Sequence, residues 1–222
     1  MQYAIENGPV FTTLTIQFEQ GESFKAEAGA MVSMSNTIEL KAKGAGKGLF
    51  GSLKAAVGGE ALFASLYTAE RGPGELLLAP ATPGDVIQFD LAGTILAQGG
   101  AYLAGDPELD LSTQGSLKAM ISGEGLFLSK ISGNGKLFLN SYGAVYDKTL
   151  APGEQYIVDT GHIVAFEDTV TYKLRKASKG IFSTLASGEG LVCDYTGPGK
   201  IWVQTRNLSA FGALIARLMP KT

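Results

Sequence analysis

GSLKAAVGGEAL (residues 51–62), GSLKAMISGEGL (115–126) and GIFSTLASGEGL (180–191) are near-copies of one another, and they begin 64 and 65 positions apart. One unit is therefore used three times in a single polypeptide. Reuse of a unit builds a scaffold, whereas catalysis needs a constellation of groups that occurs once. The repetition weighs against most enzyme readings.

The rest of the chain keeps the same period. After each opening motif come an apolar pair, a glycine turn and a second apolar run. In the first unit these are Leu62-Phe63, Gly72-Pro73-Gly74 and Leu76-Leu77-Leu78. The second has Leu126-Phe127, Gly133-Asn134-Gly135 and Leu137-Phe138-Leu139, and the third Leu191-Val192, Gly197-Pro198-Gly199 and Ile201-Trp202-Val203. Apolar segments around such turns read as β-hairpins, because glycine accepts the positive φ they demand. Upstream, Leu14, Ile16 and Phe18 alternate with Thr15 and Gln17, and Ile87, Phe89 and Leu91 alternate with Gln88 and Asp90. A period of two marks a half-buried strand. AGAMV (28–32), GGAYL (99–103) and TGHIV (160–164) then lead into further alternating strands around Leu40, Leu111 and Tyr172. About four strands per unit, or roughly a dozen in all, is the expectation.

Composition agrees with that reading and bounds function. The chain has 222 residues, 45% of them hydrophobic, with 30 glycines and only 18% charged. Glycine spread along a chain with few helical runs points to an all-β protein. A net charge of −3 argues against a general nucleic-acid binder, which needs a basic face to displace counterions. The single cysteine leaves no internal disulfide, and MQYAIENGPV (1–10) has no signal-peptide pattern. The weakly charged stretch 86–105 carries Asp90 and alternating polarity, so it reads as a strand pair and not as a membrane span. The expectation is a cytoplasmic protein, with a position at the periphery of a membrane as its variant.

The expected architecture is all-β: three similar short double-stranded β-helix or β-sandwich subdomains about a pseudo-threefold axis. Repeats at 1–82, 83–145 and 146–207 make one domain, and 208–222 forms a short C-terminal helical tail. The triplicated G-E-G/A-L elements, AGAMVSM (28–34), TGHIVAF (160–166) and GNGKLFLNSYG (133–143) together resemble the AIM24 family over nearly the whole chain. That resemblance implies a fold similar to the tryptophan RNA-binding attenuator protein, triplicated in one chain. It implies a mitochondrial association for eukaryotic members and brings no catalytic residues.

Two apolar segments stand apart from the repeat. KGAGKGLF (43–50), joined to GSLKAAV (51–57), makes a cationic, glycine-rich loop with Leu49, Phe50 and Leu53 on one face if it turns helically, and Ile181 and Phe182 echo it in unit three. It reads as a partner-binding or membrane-surface loop, or as apolar side chains packed under a neighbouring unit, which is the commoner outcome. In the tail, Phe211, Leu214, Ile215 and Leu218 follow helical spacing, with Asn207 or Ser209 to cap and Pro220 to stop the helix. Such a helix caps the β core or mediates oligomerisation.

Little catalytic chemistry survives inspection. His162 is the only histidine and stands where the other units have Ala30 and Ala101, which suits a turn or interface better than a general base. Cys193 aligns with Ala64 and Leu128 and reads as a buried thiol. GAGKG (44–48) lacks the glycine and the Ser or Thr of a phosphate loop. Glu60, Glu124 and Glu189 are equivalent across the units. They read as three local turn caps or, as the alternative, as a carboxylate ring for calcium or magnesium. No catalytic residue, cofactor or resident metal is expected. The functional expectation is a non-enzymatic scaffold that self-associates and binds a protein or membrane-surface partner, with a small-ligand or RNA-binding module as the alternative and an acid/base hydrolase as the weakest case.

Overall fold

The computed structural model describes residues 1–42, 64–114, 127–177 and 191–219. Strands dominate it, and one helix follows them. Unit one holds β1 (Gln2–Glu6), β2 (Thr13–Phe18), β3 (Ser23–Glu27), β4 (Met31–Met34), β5 (Glu39–Ala42), β6 (Ala64–Thr68) and β7 (Gly74–Leu78). Unit two holds β8 (Val86–Gln98), β9 (Tyr102–Gly105), β10 (Asp110–Gln114) and β11 (Leu128–Asn140). Unit three holds β12 (Val145–Leu150), β13 (Gln155–Asp159), a 3-10 turn (Thr160–His162), β14 (Ile163–Glu167), β15 (Thr171–Lys176), β16 (Leu191–Thr196) and β17 (Gly199–Gln204). Helix α1 (Leu208–Leu218) ends the described chain.

The three units share one pairing scheme. β2 and β3 correspond to the two halves of β8 and to β12 and β13, while β6 and β7 correspond to the halves of β11 and to β16 and β17. In unit one β3 pairs β6 and β2 pairs β7; in unit two β8 pairs β11 throughout; in unit three β13 pairs β16 and β12 pairs β17. Each unit thus carries six equivalent strand segments, with β1 added in unit one, where alternation alone suggests four. The expected hairpins at the glycine turns are absent. β6 pairs β3 and β5 whereas β7 pairs β2 and β4, so Gly72-Pro73-Gly74 is a corner at which the chain leaves one sheet for another. In unit two the corner is a bend within continuous strands: Gly133 of β11 faces Gly93 of β8, and both have φ of 131°. Side-chain-bearing residues rarely adopt that conformation, so this glycine pair lets two 13-residue strands turn together.

The units join by edge pairing. β3 of unit one adds to β9 of unit two, with Ala26 opposite Ala104 and Lys25 opposite Gly105. β8 of unit two adds to β14 of unit three, with Ala97 opposite Ala165 and Leu96 opposite Phe166. Aligned on the repeat, these two registers are the same. The described pairings run in series from unit one to unit three, and none leads from unit three back to unit one. What results is a ten-stranded sheet, a four-stranded sheet ordered β1-β2-β7-β4, and a three-stranded sheet ordered β13-β16-β15.

Alternation within the strands builds three apolar clusters. The first gathers Leu14, Ile16, Phe24, Leu76, Leu78 and Phe138, with the Tyr3 ring of β1 lying 5.4 Å from that of Phe24 and 5.2 Å from that of Phe138. The second is built on the joint strands of unit two, and the third on Phe166, Tyr195 and Ile201 of unit three. Each fully buried large apolar side chain contributes roughly 1.5–3 kcal/mol. Cys193 lies in the third cluster facing Val158. The strand register makes Ser65 and Ser129 its equivalents, both buried, and aligns Ala64 and Leu128 with Val192 instead.

Helix α1 forms where the spacing predicts. The Asn207 side chain caps it, accepting from the Ala210 N–H at 3.1 Å, and Arg217 sits in its last turn, where a cation meets the negative end of the helix. It does not cap the β core, because none of its residues is buried. Its apolar side chains are all exposed, and Phe211 meets an aromatic ring of the body, 5.9 Å from Tyr142.

Candidate functional site

Glu27, Gln98 and Asp159 end the equivalent strands β3, β8 and β13, each one residue before the turn 28–29, 99–100 or 160–161. Glu27, Gln98, Gly100 and Gly161 converge, with Asn140 and Gln204, on a pocket of about 280 Å³ beside the start of α1. Equivalent turns of three units therefore meet at one place, and the residues they supply differ.

Units two and three hold their turns with amide side chains. Asn140 Nδ2 donates to the Gly100 carbonyl at 3.2 Å, and Gln204 Nε2 donates to the Gly161 carbonyl at 3.0 Å. Gln204 Oε1 also accepts from the Tyr142 N–H at 2.8 Å. Unit one has Ala79 at the equivalent position, which can make neither side-chain bond. The residues that end β3, β8 and β13 differ in the same way. Asp159 accepts from the Gly161 N–H at 2.8 Å and from Asn207 Nδ2 at 3.4 Å, and Gln98 Nε2 donates to the Thr160 carbonyl at 3.4 Å. No described group hydrogen-bonds the carboxylate of Glu27, and burial pushes its pKa up to about 7. Desolvation disfavours the charged form, and here nothing repays it. Tyr102 is driven upward too, first by burial and then by Asp106 and Glu27. The pocket therefore presents a carboxyl group able to donate or accept a proton near neutrality, surrounded by amides and backbone carbonyls. That suits a small polar ligand; catalysis would need further groups in place around it.

The candidates read from sequence are scattered. Leu49, Phe50, Leu53, Ile181, Phe182, Glu60, Glu124 and Glu189 lie outside the described residues. Phe211, Leu214, Ile215 and Leu218 share one side of α1 and are all exposed. His162 is half-buried in the turn before β14, where Nδ1 lies 2.8 Å from the Gln204 carbonyl oxygen, so it serves a local contact beside the pocket. Burial raises the Cys193 thiol to about 11, which leaves it protonated and unreactive at neutral pH. Among the described residues no group of three or more His, Cys, Asp or Glu could hold a metal ion, and no helix is long and apolar enough to cross a membrane. Glu27 escapes a motif search because it belongs to no motif. The signal for it is the departure of unit one from its copies, Glu against Gln98 and Asp159, with Ala79 against Asn140 and Gln204.

A triplicated, mostly β protein with one C-terminal helix defines the structural class. The chain belongs to the AIM24 family, whose model, described as mitochondrial biogenesis AIM24, matches residues 3–206. An uncharacterized protein of Streptococcus pyogenes serotype M6 is 31% identical to it over 230 residues, covering 99% of this chain and 92% of that protein. A crystal structure of a Streptococcus pyogenes protein superposes with a TM-score of 0.83 at 30% identity, covering 98% of this chain and 99% of that one.

Proposed function

We propose that this chain is a non-enzymatic scaffold that self-associates and presents helix α1 to a protein partner. One observation carries the reading: α1 exposes Leu208, Phe211, Leu214, Ile215 and Leu218, and none of its residues is buried. A contiguous apolar stripe of that kind marks a contact surface. Arg217 is the only cation on the helix, so its chemistry fits a protein better than an anionic lipid headgroup. Leu214→Glu combined with Leu218→Glu tests this. Partner binding is lost in pull-down with the β body's melting unchanged; unaltered partner binding, or flotation of the wild type with anionic vesicles, overturns it.

A second reading is favoured by the unpaired Glu27. A small ligand bearing hydrogen-bond donors would fill the pocket in a fold of the attenuator-protein kind. The net negative charge makes RNA a poorer occupant. A ligand screen read by thermal shift, repeated on Glu27→Gln, decides this reading.

A further inference from the structure

The joint between units occurs twice inside the chain, and the structure also displays both halves of a third, unused. In each formed joint the strand that ends a unit's three-stranded half adds to the fourth strand of the next unit: β3 to β9, and β8 to β14. The strands left over are β13 of unit three and β4 of unit one. Among the described residues β13 pairs only β16 and β4 pairs only β7, so each ends its sheet with an open edge.

Burial along these strands tells the same story. Every residue of β4 is exposed, whereas all four residues of its equivalent β9 are buried, and β14 is buried through Phe166. Val32 is 56% exposed although its counterparts Leu103 and Val164 are at most 1% exposed. On the other side Ile157 is 56% exposed although its counterpart Leu96 is 9% exposed. Val32 keeps the apolar character of Leu103 and Val164, and Ile157 that of Leu96, although the formed β3–β9 joint carries Lys25 at the Ile157 position. Both are bare because no described strand occupies the joint. Neither edge carries the usual defences of a solvent-facing strand: β4 reads Met-Val-Ser-Met, and β13 has no lysine or proline and one acid at its end.

We propose that copies of this chain associate head to tail, β13 of one copy adding to β4 of the next in the register used within the chain. That register places Val158 opposite Ser33 and Ile157 opposite Met34, as Ala97 lies opposite Ala165 and Leu96 opposite Phe166. The contact is heterologous: each copy keeps one free edge of each kind after pairing, so assembly continues until a ring closes or a fibre grows. This inference rests on the self-association part of the proposed function and names its surface, one separate from α1.

The test uses Met34→Glu and Ile157→Glu, both at exposed positions, so melting curves of the isolated chains should match the wild type. A carboxylate is chosen because a lysine, Lys25, is accepted at the Ile157 position of the formed β3–β9 joint, where its Nζ donates to backbone carbonyls. In light scattering the wild type forms multiples of the chain, and each variant alone remains a single chain. Mixed, the two variants form a one-to-one pair and nothing larger, because Met34→Glu retains a good β13 and Ile157→Glu a good β4. If either variant melts early, Val32→Lys supplies the second β4 lesion. Variants that assemble like the wild type overturn the edge joint while leaving self-association intact. A wild type that stays a single chain overturns both, and single-chain variants that fail to pair when mixed overturn the head-to-tail geometry.

Discussion

β9 and β4 are the same strand of two repeats, yet every residue of β9 is buried and every residue of β4 is exposed. Their sequences, Tyr-Leu-Ala-Gly and Met-Val-Ser-Met, are both apolar enough to be buried. What separates them is a neighbour: β9 has β3 on its second edge, and β4 has nothing described there. Burial in a repeat protein is thus a property of the junction as much as of the unit, and a unit at the end of the series shows what the junction had covered.

The sharpest way to break the comparison is to place one substitution at both positions. Ala104 is fully buried opposite Ala26, so Ala104→Asp puts a carboxylate into the joint with no partner and costs about 4 kcal/mol or more. Ser33 occupies the corresponding position of β4. Ser33→Asp changes the stability of the single chain by no more than about 0.5 kcal/mol. Urea denaturation at dilution sufficient to keep chains apart reads both. A Ser33→Asp penalty approaching that of Ala104→Asp shows that β4 is already covered within the chain.

The same asymmetry reappears at the pocket. Glu27 in unit one lacks the partners that Asp159 has in unit three, and its pKa is raised from 4.5 to about 7. The protonated form is favoured by the fold, so its contribution to stability is fully present below about pH 4.5 and lost as pH rises through 7. Glu27→Gln, which never ionises, should match the wild type at pH 4 and exceed it by roughly 1–2 kcal/mol at pH 8, a figure reduced for residual solvent screening. Denaturant midpoints across that range check it. A constant difference between the two proteins at all pH values shows that Glu27 is not desolvated.

How much of this was legible beforehand follows from what a pattern can carry. Alternation at Leu14, Ile16 and Phe18 and the threefold recurrence of motifs gave the all-β class and the repeat, because side-chain period is local. The helical spacing of Phe211, Leu214, Ile215 and Leu218 gave α1, and Cys193 is interior as its apolar surroundings suggest, although alignment by motif misses the strand register there by one residue. Pairing partners are not local. Gly133-Asn134-Gly135 reads as a turn whether the flanking strands pair with each other or with two different strands, so sequence alone does not separate a corner from a hairpin. Glu27 was legible only as a difference between copies, and its meaning depended on Ala79, which lies 52 residues away in the chain. That α1 stands clear of the core could not be read at all, since an amphipathic stripe predicts that something covers it and not what.

Helix α1 offers the mildest and most discriminating comparison, between an element held by packing and one held by its own backbone. An isolated helix of 11 residues is marginal in water, and α1 has a glycine at its centre, Gly212, where an added methyl would meet nothing within 4 Å. Gly212→Ala improves helix propensity by about 1 kcal/mol. If α1 is as independent of the sheets as its exposure indicates, that gain stays local: helical circular dichroism rises slightly while the cooperative unfolding of the β body keeps its midpoint. A midpoint that shifts by the full local gain ties α1 to the body, and the apolar stripe would then be part of the fold instead of a surface held ready for a partner.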